Sequence, residues 1–125
     1  MSDTEPAGRA RVDARREAGI MTFELAITFG DQYRRVPHPV ERKAHPDGYW
    51  VIEAKDWTTA RAGAFERFGQ HWAFDYNLNT DEFRNDVAVW YPRGELGRTR
   101  VTGFDLGTTI TGKMEFRVTV EDVTS

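Results

Sequence analysis

Apolar residues recur at every second position in several short runs of this chain. In "TFELAITF" (22–29), Phe23, Leu25, Ile27 and Phe29 share one side, and Thr22, Glu24, Ala26 and Thr28 share the other. A period of two marks a half-buried strand. "YWVIEA" (49–54) sets Trp50, Ile52 and Ala54 against Tyr49, Val51 and Glu53. Both of its sides carry apolar groups, which predicts a central strand. "GKMEFRVTVEDV" (112–123) alternates most strongly. Met114, Phe116, Val118 and Val120 face one way; Lys113, Glu115, Arg117 and Thr119 face the other.

Between these runs the period changes. "DWTTARAGAFERFG" (56–69) places Ala60, Ala64 and Phe68 on one helical stripe, with Trp57 and Phe65 at its edge. Asp56 is a good N-cap and Gly69 a good residue to follow the last turn. Gly63 weakens the helix by about 1 kcal/mol relative to Ala. "HWAFDYNL" (71–78) then lines up Trp72, Phe74, Tyr76 and Leu78. This row is read as the inward face of a third strand beneath the helix stripe, because so large an exposed row invites aggregation.

Other segments carry weaker patterns. Pro37, Pro39 and Pro46 interrupt any ladder over 36–48, and Asp47-Gly48 signals a turn. "NTDEF" (79–83) reads as a turn or a single helical turn. "VAVWY" (87–91) reads as an apolar strand or a short helical piece stopped by Pro92. "PRGELGRTR" (92–100) reads as a basic loop and "VTGFDLG" (101–107) as a weak strand. The likeness between "MTFELAITF" and "MEFRVTV" reflects two amphipathic strands, and no longer period accompanies it.

The predicted class is α+β: a four- to five-stranded, mainly antiparallel sheet with one principal helix packed on one face. The strands at 49–54 and 71–78, joined through that helix, would run parallel if adjacent, with a right-handed crossover. The second face must then be polar, covered by loops, or paired in a homodimer.

Composition narrows the possible chemistry. With 125 residues, 39% of them hydrophobic and 13% aromatic, the chain suits one packed domain. The net charge of −3 and isoelectric point near 5.6 argue against generic nucleic-acid or anionic-lipid binding. There is no cysteine, which removes disulfides, thiolate catalysis and cysteine-bound zinc. No apolar run reaches the roughly 18–20 residues of a membrane span. Residues 1–20 hold four basic and four acidic residues and no aromatic one. They are expected to be a flexible tail before a domain at 21–125, with Met21 as an alternative start. The overall expectation is a soluble, cytoplasmic protein that calls for no cofactor.

Candidate motifs are few. "GTTITGK" (107–113) fits the opening of a phosphate-binding loop, but Met114 stands where Ser or Thr should hold magnesium, and a strand follows instead of a helix. A glycine turn in a β-hairpin is the preferred reading. Serine occurs only at Ser2 and Ser125, which excludes a serine nucleophile in a formed site. His38, His45 and Asp47 could hold a metal, but their spacing fits no metal motif and proline-flanked surface histidines are the preferred reading. His71 is placed at a rim. The carboxylate pairs Asp47/Asp56, Asp81/Glu82 and Glu121/Asp122 default to solvated groups.

Two arginine clusters stand out. Arg34-Arg35 with Arg42-Lys43 lies in the first long loop. Arg93, Arg98 and Arg100 follow Trp90-Tyr91. Guanidinium groups beside rings suit a phosphate and a stacked base. Arg61, between Trp57 and Phe65, either stacks on rings or pairs with an inward carboxylate such as Asp75; stacking is preferred.

The combination "GYWVIEAKDWTTARAGAFERFGQHWAFDY" followed by "YPRGELGR" resembles small accessory proteins encoded by actinobacterial phages, over residues 21–100 or so. The resemblance implies a phage accessory gene, one that counters a host defence, and carries over no catalytic residues. The expected function is non-enzymatic binding of a host protein or a small nucleotide signal. The alternatives are a small metal-dependent hydrolase using His38, His45 and Asp47, and a phage structural or assembly protein.

Overall fold

The computed structural model describes residues 23–108, 110–112 and 114–123. The expected tail at 1–20 and the Met21 start lie outside the described residues. Five strands and two helices form an α+β fold: β1 (Phe23–Thr28), β2 (Gly48–Ala54), α1 (Trp57–Phe68), β3 (Phe74–Asn77), α2 (Asp81–Trp90), β4 (Gly94–Thr108) and β5 (Met114–Asp122). The sheet order is β3-β1-β2-β4-β5. Every neighbouring pair is antiparallel except β2 and β4. Among the described residues no helix is long and apolar enough to cross a membrane.

The strongest patterns fold as read. β2 lies at the sheet centre, and its residues are buried except for half-buried Tyr49. α1 starts where Asp56 accepts a hydrogen bond from the Thr59 amide at 2.8 Å. It ends at Gly69, whose φ of 62° is open to glycine at little steric penalty. Ala60, Ala64 and Phe68 are buried against Leu25, Ile27, Trp50, Ile52 and Val101. Gly63 has a reason to be there: a Cβ would stand 2.5 Å from Val101 Cγ2. The small stripe lets the helix lie close on the sheet.

Several expectations change. β2 and β3 are not adjacent, because β1 lies between them and pairs antiparallel with both. Of the two readings of 87–91, the helical one holds: residues 87–90 close a ten-residue helix and Tyr91 follows its last turn. Thr80 caps it by accepting from the Phe83 amide, and Asp81 and Glu82 favour its positive N-terminal end. The "basic loop" at 92–100 is largely the first half of β4, in parallel register with β2.

The aromatic row also divides. β3 begins at Phe74, so the alternation does not carry back to Trp72 across the non-strand residues 71–73. Trp72 is half-buried, packs against the α1 core and meets Phe65 edge-on at 5.1 Å. Phe74 and Tyr76 stand opposite Thr28 and Ala26, on the sheet face away from α1. Phe74 is 63% exposed, contrary to its expected place in the core. Tyr76 joins Leu78, Val87, Ala26, Val51 and Tyr91 in a second cluster beneath α2. The face left open by the one-helix reading is thus partly covered by a second helix.

Candidate ligand-binding site

The rest of that second face holds an ion-pair network. Glu24 on β1 and Glu53 on β2 are register partners, and both are fully buried. Carboxylates directly opposite each other repel. Arg98, on β4 beside Val51, reaches both, bonding to Glu24 and to Glu53 at 2.6 Å. It also forks onto Glu95 at 2.8 and 3.0 Å. Arg84 from α2 bonds to Glu24 at 2.9 Å, and Arg100 bonds to Glu53 at 3.1 Å. Burial opposes the charge on Arg98, but the hydrogen bonds to Glu95, Glu53 and Glu24 outweigh it and raise its pKa.

The cluster expected around Arg93 does not converge as a set of available cations. Arg98 and Arg100 are held by internal carboxylates. The ring of Trp90, about half exposed, lies 5.8 Å from that of Tyr76. Tyr91 shares a hydroxyl hydrogen bond with Tyr76 at 3.2 Å. Burial, then that bond, pushes the Tyr76 hydroxyl up to about 12, so it stays neutral. The Arg93 amide donates to the Asp47 carbonyl, which fixes its backbone at the start of β4.

The first arginine cluster is arranged differently. Residues 29–47 connect β1 to β2, and a 3₁₀ turn at Asp31–Arg34 opens the segment. The rest is ordered by side chains. His38 is only 4% exposed, where the sequence reading put a surface histidine. Its Nδ1 accepts from the Val40 and Glu41 amides at 3.1 Å, and its Nε2 lies 2.6 Å from the His71 carbonyl. Its ring packs against Phe29, Tyr33 and Phe68. These partners require the neutral tautomer with the proton on Nε2. Burial lowers the His38 pKa accordingly. A second tie runs from Arg67 of α1 to Glu41 at 2.8 Å.

His38 therefore has no ring nitrogen left for a metal, and Asp47 is engaged by both terminal nitrogens of Arg34, at 2.5 and 3.0 Å. Those hydrogen bonds lower the Asp47 pKa and, together with one to Asp31, raise that of Arg34. Among the described residues no three His, Asp or Glu side chains gather as metal ligands.

The ordered segment encloses an open pocket of about 540 Å³, lined by Arg34, Arg35 and Arg42 with Tyr33, His45 and the 36–38 stretch. Its lining contains no carboxylate. Arg34 is held in place by Asp31 and Asp47. Arg35 and Arg42 are exposed, and among the described residues neither has an ion-pair partner. His45 accepts from the Asp47 amide through Nδ1. The pocket thus offers planar guanidinium donors on a pre-ordered wall, which suits a phosphate or carboxylate. Sequence reasoning had the arginines but missed His38 as the residue that orders them; its two flanking prolines, Pro37 and Pro39, were the available signal.

No protein-family model, curated protein or solved structure matches this chain.

Proposed function

We propose that the chain is a non-enzymatic binding protein whose 33–45 pocket takes a small phosphorylated ligand of nucleotide type. One observation carries this reading: Arg35 and Arg42 line one pre-ordered pocket without an internal counter-charge, whereas Arg67, Arg84, Arg98 and Arg100 are committed to carboxylates of the fold. A volume near 540 Å³ falls within the usual range for small-ligand sites. Pre-ordering by His38 and Glu41 lowers the entropy lost on binding. In the setting that the phage resemblance implies, the ligand is a nucleotide signal in the host cytoplasm. A second copy is not needed to cover the far sheet face, since α2 and the ion pairs occupy it.

Calorimetric titration with nucleoside phosphates and cyclic dinucleotides, with pyrophosphate as the bare anion, tests the proposal. A charge-assisted hydrogen bond contributes about 1.5–3 kcal/mol. The double variant Arg35→Glu/Arg42→Glu should therefore weaken binding at least about tenfold with the melting temperature unchanged. Binding should also weaken as salt rises. No binding by any member of the panel, or binding indifferent to the double variant, refutes the assignment.

A further inference from the structure

A second depression lies across the 69–73 segment from the arginine pocket. His38, in the wall of that pocket, is bonded to the His71 carbonyl, while Gln70, Trp72 and Ala73 face a cleft of about 340 Å³ completed by Arg61, Phe65, Phe74 and Asp75. The two depressions share no lining residue.

The cleft joins stacking surfaces to a hydrogen-bonding edge. The Arg61 guanidinium lies over the rings of Trp57, Phe65 and Trp72, at 5.3–5.6 Å from their centroids. Its Nη1 bonds to Asp75 Oδ2 at 3.2 Å. That pair is only partly buried, with Arg61 39% and Asp75 19% exposed, so one guanidinium face and a carboxylate edge stay accessible. Phe65, which meets Trp72 edge-on, keeps 45% of its surface exposed. Asp75 stands opposite Ile27, on the α1 face of the sheet, so the carboxylate and these rings share one side.

We propose that this cleft binds a nucleobase. A guanidinium stacked on aromatic rings is a surface on which bases stack. Arg61 can donate to a ring nitrogen or carbonyl of the base, and Asp75 can accept from an amino or imino N–H beside it. That adjacent donor and acceptor match the edge of a base, and their opposite charges cancel, which selects a neutral ring over a phosphate. The small volume admits one base, and the stacking area favours a purine. The base can belong to a free nucleotide or to a single strand.

Indole N–H signals in a proton–nitrogen correlation spectrum provide the test. Adenosine, which lacks phosphate, should shift the Trp57 and Trp72 signals and leave buried Trp50 in place. Phe65→Ala should weaken the response about fivefold or more, since one base–aromatic stack contributes about 1–3 kcal/mol. Arg61→Lys, which keeps the charge but loses the plane, should weaken it too. A short oligoadenylate that binds more tightly than adenosine assigns the site to single strands; equal binding assigns it to mononucleotides. No shift with adenosine up to its solubility, shifts indifferent to Phe65→Ala, or equal shifts with methyl glucoside overturn the proposal. Failure of pyrophosphate at the arginine pocket leaves this result untouched, so the two sites stand or fall separately.

Discussion

Removing Arg98 probes the most heavily charged part of the interior. Glu24 and Glu53 face each other across the β1/β2 ladder with no exposed surface, and Arg98, 11% exposed, bonds to both. Arg98→Ala would remove the one cation that bonds to both carboxylates and leave in place the bonds from Arg84 to Glu24 and from Arg100 to Glu53. Removing one member of a buried ion pair is destabilising by about 3–5 kcal/mol. Total stability for such a domain is about 5–15 kcal/mol, so the variant loses a large share. With a urea slope of about 1–3 kcal/mol/M, the midpoint should fall by roughly 2 M. Urea is the right denaturant because guanidinium would itself screen charges. Arg98→Lys should recover only part, since an ammonium cannot fork onto Glu95 while bridging Glu24 and Glu53. The triple variant Glu24→Leu/Glu53→Leu/Arg98→Met should approach the parent, because the penalty lies in stranded charge and not in the loss of a net attraction. If Arg98→Ala unfolds at the parent midpoint, the network is solvated and the argument fails.

Three further outcomes are open to measurement. Phe68→Ala should destabilise by about 3–5 kcal/mol, because Phe68 is fully buried, whereas Phe74→Ala should stay within about 0.5 kcal/mol; equal urea midpoints would contradict the assigned faces. Gly63→Ala should destabilise by about 1–3 kcal/mol despite the better helix propensity of alanine, since its Cβ meets Val101 at 2.5 Å; a more stable variant would show that the helix can lift off the sheet freely. His38 is held neutral with a pKa below its unfolded value of 6.5, so the unfolded chain takes up its proton first. Its contribution is complete above that value and is lost as pH falls toward the folded pKa. Urea curves between about pH 7 and pH 5 should show this loss, and His38→Gln should flatten it.

The legible elements were those whose determinants are local. Asp56 and Gly69 bracket α1 within the sequence they cap, and β1, β2 and β5 carry their own alternation. α2 was legible only in pieces, as a turn or helical turn at 79–83 and a strand or short helical piece at 87–91, because Val87, Val89 and Trp90 also suit strands, while its cap at Thr80 and the acids that follow lie a turn or more earlier. The row from Trp72 to Leu78 looked continuous because a two-residue period cannot reveal that residues 71–73 lie outside the strand. β4 was the hardest. Its charges and glycines resemble a loop, yet Gly97 leaves room for the Trp50 ring, which a Cβ would meet at 2.3 Å. Arg98 answers carboxylates 74 and 45 residues away, a relation that only the sheet order creates.

The same distinction sorts the arginines. A guanidinium on a strand that faces a low-dielectric interior must find carboxylates or the strand does not form, so Arg98 and Arg100 are bound to the fold before any ligand arrives. A guanidinium on a loop faces water and imposes no such demand, so Arg35 and Arg42 stay exposed where Pro37, Pro39 and His38 put them. Proximity to rings in the sequence is therefore a weaker guide to a ligand site than independence from the core. It follows that the two kinds of arginine separate under mutation. Loss of Arg98 should melt the protein, with any effect on ligand following from unfolding. Loss of Arg35 and Arg42 should abolish anion binding in a protein that unfolds at the parent midpoint. A double charge reversal at 35 and 42 that melts the protein would mean that these residues carry structural contacts after all, and the pocket would lose its claim to be a site.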